Sequence, residues 1–218
     1  MEAVTHPRQR RKQARPAELM AAALELFVEK GFVGTRLEDV ATRAGVSKGT
    51  LYLYFDSKEA LFKAVIQEGI VPILEQGAGL VDRFEGSASD LLRKLIGEWW
   101  QRIGNTHLAG VPKLMISEAG NFPELATYYH DTVIVRGRDL MRRIVQRGID
   151  GGEFRGVDVE TAIDVIFAPV LMMLIWRHSL GPCCGVAHDP QVYLNTHLDL
   201  ALNGLATPKP RSGRRTSK

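Results

Sequence analysis

Between Ser47 and Tyr54 the chain carries an ammonium group at Lys48 and hydroxyls at Ser47, Thr50, Tyr52 and Tyr54, with Gly49 among them. Cations and hydroxyls at that density suit a polyanion, because they hold phosphate oxygens and reach base edges in a groove. Arg36 and Lys58 add a charge on either side. Tyr52 and Tyr54 are two apart, so on a helix they point about 200° from each other. One of them faces a groove wall and the other packs.

The segment that must position these groups is LEDVATRAGVSKGTLYLYF, residues 37–55. It places a small residue at Ala41, a glycine at Gly45 and an apolar residue at Leu51. Two helices meeting steeply through a short turn need a small side chain where they touch, a glycine able to take positive φ and an apolar anchor on the second helix. That is helix-turn-helix geometry, in which the second helix enters the major groove of DNA. The spacing alone also fits unrelated helix pairs, and the polar second helix is what favours nucleic acid.

Around this segment the chain divides into short, punctuated helices. Pro16 opens the first, with Met20, Ala23, Leu24 and Phe27 on one face, and Gly31 ends it. Thr35 and Glu38 form a capping box for the second, and Leu37, Val40, Ala41 and Ala44 are its inner face. Ser47 caps the third and Asp56 or Ser57 the fourth, which carries Leu61, Val65 and Ile66.

With Ala22 to Phe27, Gly31, Thr35, residues 37–55 and Ser57-Lys58-Glu59-Ala60-Leu61, residues 16–68 resemble the TetR family of repressors. The resemblance implies a dimer with its two recognition helices in successive major grooves, and release of operator DNA by a small molecule bound in the C-terminal domain. It also implies that Thr35 and Lys58 touch phosphate and that Ser47, Lys48, Gly49, Thr50, Tyr52 and Tyr54 face DNA. Thr35 equally suits a cap with no DNA role.

Longer helices follow, at about Ser89–Ile103, Val111–Ala119, Pro123–Ile149, Val159–Ser179 and Pro190–Asn203, for about nine in all and no strand. The expected fold is all-α: a basic arm (1–15), a helix-turn-helix domain (16–68), a helical ligand-binding and dimerisation domain (69–206) and a basic tail (207–218). Asp189-Pro190 through Gly204-Leu205 is similar to the family's closing helix. Residues 165–176, VIFAPVLMMLIW, are apolar all round, so one side is expected against its own domain and another against a second subunit. Val170, Leu174, Leu194, Leu198, Ala201 and Leu205 are the expected dimer seam. Trp99, Trp100, Met115, Phe122, Tyr128, Phe167, Met172, Met173 and Trp176 are candidates for an apolar ligand pocket, although such residues are also ordinary core.

The net charge is only +3, but Arg8, Arg10, Arg11, Lys12 and Arg15 sit at one end and Lys209, Arg211, Arg214, Arg215 and Lys218 at the other. The body between is mildly acidic, so DNA must be held by local groups. The N-terminal arm is either a solubilising tail or a minor-groove reader. Cys183 and Cys184 are adjacent and offer no disulfide framework, which suits a cytoplasmic setting; with His178 and His188 nearby they match no standard metal site. No secretion signal or membrane span is read, and no catalytic or cofactor motif, so no metal or cofactor is expected. The partners expected are operator DNA, a second copy of the chain and a small effector. The rival reading is an architectural DNA-binding protein, or an activator, without an effector.

Overall fold

Helical periodicity runs through the sequence, and the computed structural model, which describes residues 7–185 and 188–208, is helical almost throughout. The N-terminal third comprises α1 (Pro7–Gly34), α2 (Leu37–Arg43), α3 (Lys48–Tyr52) and α4 (Lys58–Gly69). The rest comprises α5 (Val71–Arg83), α6 (Ala88–Trp99), α7 (Val111–Glu118), α8 (Pro123–Tyr129), α9 (Val135–Asp150), α10 (Val159–Arg177), α11 (Gly181–Cys184) and α12 (Pro190–Leu205). Among the described residues the one extended pairing is an isolated bridge between Phe154 and Ala206.

All nine expected helices are present. The expected Pro123–Ile149 helix is interrupted by a π turn at His130–Ile134, and α5 and α11 are additional. The first helix begins at Pro7 and runs through Pro16, so residues 7–15 are helical where an unstructured arm was expected. Gln9 to Arg15 are strong helix formers, and their propensity competes with the cost of an interior proline. Residues 1–6 and the tail from Lys209 onward lie outside the described residues.

Inside the N-terminal third, Phe27, Phe32 and Phe62 meet at centroid distances of 5.2–5.8 Å, and Phe122, at the head of α8, lies 4.7 Å from Phe32. α1 breaks at Gly31 (φ 76°), as its glycine forecast, and then takes one further turn. Five α-helix starts are held by side chains: Ser47, Ser57, Ser87, Asp158 and Asp189 each accept a backbone N–H of the turn they precede.

In the C-terminal part α9 packs against α5, α6 and α10. It buries Leu140, Met141, Ile144 and Val145 on one face and pairs its arginines with carboxylates or carbonyls. α10 is 19 residues long, and by length and composition alone it could cross a membrane. Its inner face is instead bound to α12, whose Tyr193 hydroxyl donates to the Pro169 carbonyl at 3.1 Å. His197 Nε2 lies 2.6 Å from the Ile166 carbonyl, which can only accept, so that nitrogen carries the hydrogen.

Candidate functional site

Gly45, at φ 66°, makes the turn between α2 and α3. Its N–H bonds to the Thr42 carbonyl (3.1 Å) and that of Val46 to the Ala41 carbonyl (2.9 Å), the reciprocal pair of a Schellman cap. Ala41 and Leu51 are buried where the two helices meet. Arg43 reaches Glu25 and Glu29 of α1, and Lys48 pairs with Glu38, so the helix-turn-helix is tied to itself and to α1 by exposed ion pairs. The Lys48 hydrogen bond draws the Glu38 carboxyl below its ordinary pKa.

One exposed surface collects Arg36, Ser47, Lys48, Gly49 and Tyr52, the last with 42% of its surface free. Thr50 is half-buried, its hydroxyl 2.8 Å from that of Ser47. Tyr54 is also half-buried and packs on the core, which settles which tyrosine points outward. Leu53, largely exposed at the end of α3, was missed because an apolar residue in such a helix reads as core.

Two expected phosphate contacts are corrected. Thr35 is 1% exposed, and its hydroxyl donates to the carbonyls of Leu26 (3.0 Å) and Gly31 (2.8 Å). The N-cap of α2 is Arg36, with no side-chain hydrogen bond, so the capping box is absent too. Lys58 turns back over the Phe32 ring and donates to the carbonyls of Phe32 (2.6 Å), Thr35 (3.1 Å) and Val33 (3.4 Å). Partial burial lowers its pKa below that of an ordinary lysine. Both residues satisfy carbonyls left open where α1 breaks.

In the C-terminal part a cavity of about 520 Å³ lies among α5 to α10. α5 and the residue before it contribute Ile70, Ile73, Leu74 and Gly77; α7 contributes Pro112, Met115 and Ile116; α10 contributes Ile163, Phe167 and Leu171. Trp99 and Phe167 meet edge to face at 5.4 Å. Polar lining is sparse: Gln76, Glu98, Arg102, Tyr129, Arg138 and Asp164. Arg138 is held by Asp164 and Glu160, which raise its pKa, and burial raises that of the Tyr129 hydroxyl.

Of the nine pocket candidates, Trp99, Met115 and Phe167 line the cavity. The other six do not. Trp100 is buried under the Arg177 guanidinium, and Phe122 joins the N-terminal aromatic cluster. Tyr128 faces Lys63 and Gln67 while its neighbour Tyr129 lines the cavity, a phase that the following π turn hides from a simple helical count. Met172 is 56% exposed, Met173 is core, and Trp176 is half-buried outside the lining. The α5 residues were missed with their helix, because Gly77 and Gly79 weaken its pattern, although Pro72 marks its first turn.

The expected dimer seam is also corrected. Val170, Leu174, Leu194, Leu198 and Leu205 are buried within one chain, and Ala201 is partly buried against the same core. The outward faces of α10 and α12 instead carry Val165 (64% exposed), Met172, Val192 (63%) and Leu200 (68%). Residues 165–176 of α10 are apolar on every side, so their pattern carries no phase by which to tell its faces apart. Cys183 and Cys184 are exposed on α11, and no cluster of three metal-binding side chains occurs among the described residues.

The cavity and the DNA-binding third touch through α7. Glu118, its last residue, accepts the Phe32 N–H at 3.2 Å, one residue beyond the Gly31 break, and Asn121 donates to its other oxygen at 3.3 Å.

Residues 19–65 match the family described as bacterial regulatory proteins, tetR family, and residues 82–182 match the tetracyclin repressor-like C-terminal domain. The chain belongs to the TetR family of DNA-binding transcriptional regulators. It is 30% identical over 201 residues to the HTH-type transcriptional regulator YfiR of Bacillus subtilis, covering 86% of this chain and 93% of that one. It is 27% identical to the HTH-type transcriptional repressor KstR2 of Rhodococcus jostii, over 90% and 94% of the two chains. In fold it is similar to the regulator FadR of Bacillus subtilis, solved in complex with stearoyl-CoA, with a TM-score of 0.72, 24% identity and coverage of 87% and 98%. These relatives are regulators of transcription, not enzymes.

Proposed function

We infer that this TetR-family regulator is a cytoplasmic repressor that binds a palindromic operator as a homodimer and releases it when an apolar effector fills the cavity. Residues 16–68 bind DNA, and residues 69–206 sense the effector and form the dimer. The observation that carries this reading is the apolar cavity whose wall helix α7 ends on the DNA-binding third at Phe32. A ligand that displaces α7 acts directly on the end of α1. KstR2 is a repressor and FadR was solved with stearoyl-CoA, and both point the same way, toward repression and a large apolar effector.

On DNA, the exposed Arg36, Ser47, Lys48, Gly49 and Tyr52, with the half-buried Thr50 among them, face the major groove. Val165, Met172, Val192 and Leu200 give two helices an unpartnered apolar face that fits a four-helix interface between copies. Two recognition helices about 34–36 Å apart then read half-sites one turn apart.

The test is binding of the full chain to the DNA beside its own gene, at two salt concentrations with competitor DNA. Tight, competitor-resistant binding that an apolar compound reverses is the expected result. Weak binding that salt abolishes, unaffected by any apolar compound, would instead support an architectural protein. Light scattering checks the dimer: the mass of two chains is expected, falling to one in Met172→Glu/Leu200→Glu.

A further inference from the structure

Beside the apolar cavity lies a second recess of about 560 Å³, with Gln76, Glu98 and Arg102 as a wall common to both. Arg83 at the end of α5 and Lys94 of α6 complete its charged lining, so three cations face one carboxylate. Elsewhere in the C-terminal part the arginines other than Arg93 are committed. Those of α9 reach carboxylates or the carbonyls of Phe84 and Gly86, Arg155 reaches the Gly204 carbonyl, and Arg177 the Gly104 carbonyl.

In the recess, none of Arg83, Lys94 and Arg102 has a carboxylate or carbonyl partner among the described residues, and Lys94 only overlies the Phe84 ring at 5.7 Å. Arg93 and Lys113 also lack such partners, but they stand outside it. Lys94 and Glu98 are one turn apart on α6 and Arg102 lies in the π turn (Trp100–Gly104) that continues it, so the three extend along one wall of the recess for about 12 Å. A single carboxylate cannot span that length or balance the excess charge. A head carrying more than one phosphate can: guanidinium binds each group bidentately and ammonium as a point charge.

We propose that this recess binds the multiply anionic, phosphate-bearing head of an amphiphilic effector whose apolar body occupies the cavity. The proposal rests on the cavity being the effector site. The common wall places head and body end to end, and Glu98 in that wall opposes the anion and limits its affinity.

The test measures dissociation constants of the full chain for dodecanol, dodecyl phosphate and dodecanoyl-coenzyme A by calorimetry, below their micelle concentrations. At least one phosphate-headed probe is expected to bind about tenfold or more tighter than dodecanol at low salt, with the advantage shrinking as salt rises. Arg83→Ser/Lys94→Ser is expected to remove most of that advantage while leaving dodecanol within about twofold, and Glu98→Gln to enlarge it. Both residues of the double variant are exposed, and its melting temperature checks its folding. Dodecanoyl-coenzyme A binding tighter than dodecyl phosphate supports a nucleotide-bearing thioester, and equal binding a simple phosphate head. Dodecanol binding as tightly as both, or an advantage that survives the double variant, overturns the recess and leaves the cavity standing. No binding of any probe overturns both.

Discussion

The N-terminal third and the cavity domain solve opposite packing problems with the same element. Around α1 to α4 the large apolar side chains close on one another, in an aromatic cluster with Phe122, and the carbonyls at the α1 break are taken up by Thr35 and Lys58. α5 to α10 instead leave about 520 Å³ unfilled at their centre. Interior voids destabilise a protein, so one of this size is retained where something else is gained. A DNA-reading surface has to be fixed before it meets its operator; a sensor has to have room to change.

The sharpest way to break that comparison is to add the same three carbons to both regions. Ala23 is fully buried in α1, and Ala126 of α8 lines the cavity. Ala23→Leu is expected to overpack its site and cost about 1–3 kcal/mol, whereas Ala126→Leu grows into open space and is expected to cost less than about 1 kcal/mol or to stabilise. Urea unfolding of both variants checks this. Equal losses would mean that the cavity is not open in solution. Ala126→Leu should also weaken effector binding, which Ala23→Leu leaves intact wherever it folds.

Next in size is the exposed tyrosine. Tyr52→Ala is expected to cost about 1–3 kcal/mol of specific operator binding while the dimer mass and the melting temperature stay as they were. Tyr54→Ala should do the reverse, lowering stability because that ring packs on the core. Fluorescence anisotropy on operator DNA together with thermal melting separates the two. Loss of DNA affinity without loss of stability in Tyr54→Ala would reverse the assignment of the two rings.

Glu118 is one point where the regions meet, beside the Phe122–Phe32 contact, and its removal sharpens the comparison by cutting one connection between them. Glu118→Ala leaves the Phe32 N–H without its acceptor, at an expected cost of about 0.5–1.5 kcal/mol of stability. The larger consequence is on coupling: an apolar effector should still bind but shift operator affinity less than in the parent chain. Unchanged coupling in operator-release assays would move the route elsewhere.

The two regions also differ in how far the sequence discloses them. The helix-turn-helix was legible because its signals are local: Gly45 has to take positive φ, Ala41 has to be small, and Ser47 caps the helix three residues on. Thr35 and Lys58 misled because their residue types suit phosphate as well as carbonyls, and only the break at Gly31 decides which of the two they meet. The cavity is assembled from six helices, and its lining depends on the rotational phase of each. In α10 the uniform apolarity of residues 165–176 erases that phase, so Phe167 was found, Leu171 was missed and Met172 was misplaced. The spacing of α12 misled in the same way, because Leu194, Leu198 and Leu205 are buried within the chain while Val192 and Leu200 are exposed.

The smallest expected effect lies at the start of α6, where Glu153 binds the helix's first N–H groups. Its carboxylate accepts the N–H groups of Ala88 (2.7 Å) and Ser89 (2.9 Å), while the backbone beside it pairs with Leu205 and Thr207. Burial pushes its pKa up, but the hydrogen bonds from Ser89 and Ala88 outweigh that and leave it below the ordinary glutamate value of 4.5. A carboxyl with a depressed folded pKa binds fewer protons folded than unfolded, so its contribution is complete above pH 4.5 and is lost as pH falls through the lower, folded value. Glu153→Gln keeps one acceptor oxygen and loses the charge facing the start of α6. Its melting temperature should therefore fall slightly below that of the parent at pH 7, and the gap should close as both are acidified. A gap that persists unchanged into acid would show that Glu153 acts there by its shape, and that the anchoring of α12 is indifferent to charge.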